Sequence, residues 1–210
     1  MQKIDLGSTG IKVEKNGFGC LPLQRIPLPE AVALLRRALD GGMNFFDTAR
    51  CYSDSEEKVG AAFADRREQV ILATKTQAKT AEAFWQDLEE SLRLLRTDHI
   101  DLYQFHNPPF CPMPEGEDGL YKAAEEAKRR GMIRHIGITN HRLSVAHQAI
   151  DSGLYETLQF PYSYLSGPQE QELVDQCYRQ GMGFIAMKAL AGGLIRDGFA
   201  AAAFMEQQPG

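Results

Sequence analysis

The chain has 210 residues, 43% of them hydrophobic, and a formal net charge of −5 at neutral pH. Those values describe one globular domain with ample core, and the scattered basic residues argue against a nucleic-acid face or an anionic-membrane patch. Cys20, Cys51, Cys111 and Cys177 show neither a C-x-x-C pair nor metal-ligand spacing, so reduced thiols in a cytoplasmic protein without a metal site are expected.

In chain order, Ile4-Asp5-Leu6 and Ile11-Lys12-Val13 flank Gly7-Ser8-Thr9-Gly10, the pattern of a β-hairpin. No apolar leader precedes it, and the longest apolar run, Phe184 to Ile195, is short and contains Lys188, so no membrane span is expected. The first inner strand is predicted around Gly17–Gly19. Pro29 then opens a helix in which Ala31, Leu34, Leu35, Ala38 and Leu39 form one buried stripe, ended by Gly41-Gly42. The alternation continues with strands at Asn44–Phe46, Val70–Thr74, Ile100–Phe105, His135–Thr139, Thr157–Phe160 and Gly183–Met187. Helices are predicted near Ser55–Ala64, Glu82–Leu95, Leu120–Arg130, from a cap at Ser144 to Gly153, and over Gln169–Gln180.

Repeated βα units of this length predict an α/β fold, a parallel TIM-type barrel or a doubly wound sheet. Seven inner strands are counted, whereas a closed (β/α)₈ barrel takes about 250 residues. After the seventh strand, Leu190–Gly210 supplies part of a helix but no eighth strand. The expectation is therefore a single domain over 1–210, short at its C-terminus: either a fragment, or a chain whose last seam is sealed by a partner or by an unusual closure.

Several apolar strands deliver one polar group at the C-terminal end: Asp47 with Tyr52 just beyond it, Lys75, His106 and Asn140. A barrel assembles its active site at that mouth. A phenol has a reference pKa of about 10, and a nearby ammonium would lower it, while a carboxylate would orient the ammonium. Asp47, Lys75 and Tyr52 thus read as a tuned proton donor for a carbonyl oxygen, with His106 orienting that carbonyl. A hydride source has to be a cofactor, and no G-x-G-x-x-G opens a helix to cradle one. His135, His141 and His147 lack metal-site spacing and read as structural or exposed.

Phe18-Gly19-Cys20, Asn44-Phe45-Phe46-Asp47-Thr48-Ala49 with Tyr52 and Ser55-Glu56, Ala73-Thr74-Lys75, Asp101 through His106, and Gly131 through Asn140 follow one another in order. Together they resemble the aldo-keto reductase family, whose fold is a (β/α)₈ barrel plugged by a hairpin. Its members reduce aldehydes and ketones with NADPH or, less often, NADH. The resemblance implies Tyr52 as general acid, Lys75 as the group lowering its pKa, Asp47 as the lysine's partner and His106 as the substrate-orienting residue. It further implies Thr139, Asn140 and Gln159 at the nicotinamide carboxamide, Gly19 and Cys20 near the cofactor, and Leu190, Gly192 and Leu194 around the pyrophosphate.

At the seventh strand the chain reads Ile185-Ala186-Met187-Lys188-Ala189-Leu190, where the family often has an aromatic residue. A branch with a C-terminal iron–sulfur domain looks similar there, which implies a cofactor-phosphate role for Lys188. Carbonyl specificity is expected on Gln24–Leu28 and Asn107–Gly119, where Pro108, Pro109, Phe110 and Met113 offer an apolar wall. Two other readings compete. One is a non-catalytic module that senses cofactor or binds a protein. The other uses Lys75 as a Schiff-base nucleophile, against which the neighbouring Asp47 works.

Overall fold

In the computed structural model, which describes residues 3–208, a short hairpin precedes seven parallel strands. β1 (Lys3–Asp5) and β2 (Lys12–Glu14) pair antiparallel, with Ile4 opposite Val13. The strands β3 (Phe18–Gly19), β4 (Phe45–Asp47), β5 (Ile71–Thr76), β6 (Ile100–His106), β7 (Ile133–Thr139), β8 (Thr157–Pro161) and β9 (Gly183–Met187) then line up in chain order. Between them run α1 (Leu28–Asp40), α2 (Ser55–Phe63), α3 (Ala81–Leu95), α4 (Leu120–Arg129), α5 (Leu143–Ser152) and α6 (Pro168–Gln180), with α7 (Gly198–Glu206) last. Sequential strands in parallel register with helices between them make this the curled sheet of a TIM-type barrel.

The hydrophobic core has two parts. The larger lies between sheet and helices, where Leu35, Phe63, Phe84, Leu88 and Leu158 are fully covered. The smaller plugs the N-terminal end of the sheet: Leu6, Ile11 and Val13 of the hairpin pack on Phe45, Ala73 and Leu102. Gly7 makes that approach possible, since a Cβ there would lie 2.2 Å from Gly183 N, and its φ of +56° suits glycine. Asn44 locks the hairpin to β4, accepting from Glu14 N at 2.8 Å and donating to Lys12 O at 2.9 Å.

No eighth strand pairs with β3 or β9 among the described residues. Instead α7 links groups near both sheet edges. Its Phe204 ring packs on Tyr162 and Tyr164 after β8, and Lys15 ahead of β3 donates to Glu206 O and Gln208 O, each at 2.8 Å. One predicted boundary is corrected. α5 starts at Leu143 rather than from a cap at Ser144, because Asn140 Oδ1 accepts from the N–H groups of His141 and Arg142 just upstream. No helix among the described residues is long and apolar enough to cross a membrane.

Candidate active site

Alternation along the strands builds the site. Side chains two residues apart face the same side, so Phe45 and Asp47, Ala73 and Lys75, and Leu102, Gln104 and His106 all point inward. Each inner row changes from apolar, over the hairpin plug, to polar toward the C-terminal mouth. Gly137 leaves space in this layer. It stands between Gln104 on β6 and Thr157 on β8, and a Cβ on it would lie 2.3 Å from Thr157 Oγ1 and 3.0 Å from Gln104 Cγ.

Asp47 is the hub. Its Oδ2 accepts from Lys75 Nζ at 2.7 Å and from Gln159 Nε2 at 3.0 Å, and its Oδ1 accepts from Gln104 Nε2 at 3.3 Å. Lys75, buried on β5, also donates to Thr48 O at 2.7 Å. Its charge is thus balanced and oriented inside the barrel, as a buried ammonium requires. Gln104 and Gln159 are linked to each other at 3.4 Å, while Gln104 Oε1 is left without a partner.

Tyr52 lies on the loop between β4 and α2, held by a turn in which its N–H donates to Ala49 O and its carbonyl accepts from Ser55 N. Lys75 Nζ sits 5.3 Å from the centre of the phenol ring. The ammonium therefore meets the ring rather than hydrogen-bonding the hydroxyl. Burial first, and then the Asp47 carboxylate, push the Tyr52 phenol above its usual pKa, opposite in direction to the lowering expected from Lys75. Burial sets the sign, and the Lys75–Asp47 pair brings too little net positive potential to the phenol to reverse it.

His106 stands edge-on to Tyr52, ring centres 5.6 Å apart at 82°. Its Nδ1 is 3.4 Å from Cys51 Sγ. Burial, followed by the Lys75 charge, lowers its pKa to about 4, so the ring is neutral at pH 7. A neutral imidazole beside a phenol can hold a carbonyl oxygen without adding charge.

A further network fixes the Tyr52 loop from behind. Glu56, fully buried on α2, pairs with Arg50 and accepts from Thr74 Oγ1 at 2.7 Å. The Ser55 hydroxyl donates to Cys20 O at 3.0 Å and accepts from Thr48 Oγ1 at 2.9 Å. These contacts seat the loop on the ends of β3, β4 and β5. The chain matches the aldo/keto reductase family model over residues 6–207.

This chain belongs to the aldo/keto reductase family.

Its relatives are oxidoreductases. It is 32% identical to L-galactose dehydrogenase of Arabidopsis thaliana, over 94% of this chain and 69% of that one. It is 28% identical to the uncharacterized oxidoreductase YqkF of Bacillus subtilis, over 94% of this chain and 67% of the relative. Among solved structures, the Bacillus halodurans aldo-keto reductase AKR11C1 in its holo form superposes with a TM-score of 0.82 at 31% identity, covering 92% of this chain and 68% of that one. An aldo/keto reductase from Klebsiella pneumoniae, in complex with NADP and acetate, superposes at 0.81 with 29% identity, over 94% and 72% of the two chains.

The remaining predicted positions spread around the mouth of this reductase fold. Thr139 lies between His106 and Gln159 in strand register, and both Thr139 and Gln159 are buried. Asn140 is fully buried with its carboxamide engaged by Pro108 O as well as the N–H groups of His141 and Arg142 ahead of α5. Gly19 faces open space, whereas the Cys20 side chain is buried away from it, its backbone N–H donating to Asp47 O at 2.8 Å. Lys188 is exposed at φ +59°, and Gly192 and Gly193 follow with positive φ and open space beside them. Leu190 and Leu194 are exposed.

Sequence reading did not single out Gln104, Gly137 or the Arg50–Glu56–Thr74 network. Gln104 shares the inward face of its strand with Leu102 and His106, but a neutral amide there does not break the pattern as a charge does.

Proposed function

We propose that this chain reduces an aldehyde or ketone to an alcohol with NADPH, or with NADH as the alternative donor. The observation that carries the reading is the Asp47–Lys75 ion pair buried beneath the Tyr52 ring with a neutral His106 at its edge. In this scheme Tyr52 protonates the carbonyl oxygen, His106 orients it, and Asp47 and Lys75 hold the charge beneath the ring. When bound, the dinucleotide supplies the hydride.

The mouth offers groups that suit such a cofactor. Gly19 leaves one wall open, and the Gln159 carboxamide lies at the same level as Thr139. The turn from Lys188 to Gly193 places an exposed ammonium beside left-handed backbone; the Ala191 and Gly193 N–H groups close the turn on Lys188 O and Leu190 O, so the ammonium is what it offers an anion. Thr139, Asn140 and Gln159 are assigned to the carboxamide end, with the Asn140 contribution limited by its internal bonds. Leu190, Gly192, Leu194 and Lys188 are assigned to the phosphates, and Gly19 and the Cys20 backbone to the approach between them.

The test is a titration with NADPH and NADH followed by quenching of Trp85 and tyrosine fluorescence, then turnover of a neutral aldehyde panel. Saturable binding with NADPH-dependent alcohol formation supports the reading. No binding of either nucleotide would shift it to a protein-binding module, which the 92% exposure of Phe199 and 79% of Leu194 would serve.

A further inference from the structure

We propose that the cleft beside Cys51 is a substrate subsite for a small anionic arm, so that the preferred carbonyl compounds carry a carboxylate or a group of similar charge. This rests on the reductase reading above.

The cleft has a volume of about 460 Å³ and is lined by Arg50, Cys51, Gln77, Lys79, Thr80 and Asp87, among others. It adjoins the reacting groups. Cys51 directly precedes Tyr52, and its Sγ is 3.4 Å from His106 Nδ1. A carbonyl held between Tyr52 and His106 would therefore extend its substituent past Cys51 into this space.

The lining sorts by what each group has left to offer. Arg50 gives Nη1 to the buried Glu56, which fixes the guanidinium; its Nε and Nη2 have no protein acceptor among the described residues. Lys79 is exposed and has no carboxylate within ion-pair distance among them. Thr80 Oγ1 already accepts from Ala83 N at 3.3 Å, so its hydroxyl proton remains available. Gln77 adds an exposed carboxamide. The charges facing or backing the cleft are Arg50 and Lys79 against Glu56 and Asp87. Glu56 is turned away into the core, and Asp87 accepts the Thr76 hydroxyl. Open donors thus outnumber open acceptors, and a fixed guanidinium with free N–H groups favours a planar carboxylate.

The cleft also has apolar lining, from Ala78 and Ala83, between these donors. The loop Asn107–Gly119 supplies apolar contact with Phe110 and Met113, both partly exposed. Arg50 and Lys79 lie on the loops that follow β4 and β5. One substrate could meet both kinds of surface.

The experiment compares carboxybenzaldehydes with the uncharged carbamoylbenzaldehydes of the same shape, using saturating NADPH and the whole chain. The expected result is a higher kcat/KM for the carboxylates, carried by KM and reduced by added salt. Lys79→Gln should shrink that ratio about threefold, the scale of an exposed charge pair. Lys79→Arg should keep the ratio and Lys79→Glu should invert it. Equal use of both aldehydes by the unaltered chain, or a preference indifferent to all three variants, would overturn the subsite while leaving the reductase reading intact. Turnover of neither aldehyde would overturn that reading and the subsite with it.

Discussion

Gln159 Nε2 donates to Asp47 Oδ2 at 3.0 Å, tying β8 to β4 across the barrel interior through the same oxygen that receives Lys75 at 2.7 Å. Gln104 reaches the other oxygen more weakly, at 3.3 Å, and leaves its own Oε1 unpaired. The two amides should therefore respond differently to substitution. Gln159→Leu removes a well-made bond to a charged group and should cost about 2 kcal/mol in urea unfolding. Gln104→Leu removes two long bonds, to Asp47 at 3.3 Å and to Gln159 at 3.4 Å, together with a buried orphan acceptor, and should cost less than about 1 kcal/mol. The reverse order would mean that Gln104, not Gln159, anchors Asp47.

His106 gives the fold a directional pH dependence. Its pKa falls from near 6.5 to about 4 on folding, chiefly through burial and then through Lys75. Below pH 6.5 the unfolded chain binds this proton while the folded chain does not, so unfolding takes up a proton and stability drops as the pH falls toward 4. Above pH 6.5 both states are neutral there, and the contribution is flat. Unfolding curves at pH 7 and pH 5 should show a larger acid-side loss for the unaltered chain than for His106→Phe. Equal losses in the two proteins would show that His106 titrates normally.

Glu56 should matter more to stability than any surface charge. It is fully buried against a largely covered Arg50, and Thr74 donates to its other oxygen. Glu56→Ala strands the guanidinium and the hydroxyl, with an expected cost of about 3 kcal/mol, the lower end for breaking a buried pair because Arg50 is partly exposed. Glu56→Gln keeps an acceptor for Thr74 and should cost about 1–2 kcal/mol. By contrast, Glu90→Ala, which loses only an exposed pair with Arg93, should be neutral within error in the same unfolding assay.

The sequence exposed those parts of the site where chemistry interrupts a simple pattern. Asp47, Lys75 and His106 stand out because charged or titratable groups seldom close apolar strands, and the helices between them show a buried stripe. Gln104 does not stand out, since a neutral amide within a strand looks like any solvated residue until the barrel curls around it. The contact of Lys75 with the Tyr52 ring rather than its hydroxyl depends on a loop conformation that spacing does not encode. The same holds for α7. Its run Phe199-Ala200-Ala201-Ala202-Ala203-Phe204-Met205 predicts a helix, but only folding brings Phe204 to Tyr162 and the following carbonyls to Lys15.

Tyr52 provides the sharpest test of the chemistry, because burial and Asp47 raise the phenol's pKa rather than lower it. A phenol that stays protonated past pH 10 remains a competent donor across the neutral and mildly alkaline range. Carbonyl reduction at saturating NADPH should therefore show no loss between pH 7 and pH 9 that belongs to this residue. Tyr52→Phe keeps the ring beside Lys75 but removes the proton, and should lower kcat by about 10²–10⁴-fold with the NADPH dissociation constant little changed. A rate that already falls between pH 7 and pH 9, and loses that fall in Tyr52→Phe, would mean that bound ligand reverses the shift and brings Lys75 to the hydroxyl. Loss of nucleotide binding together with activity would remove Tyr52 as the proton donor and make it a structural support of the loop.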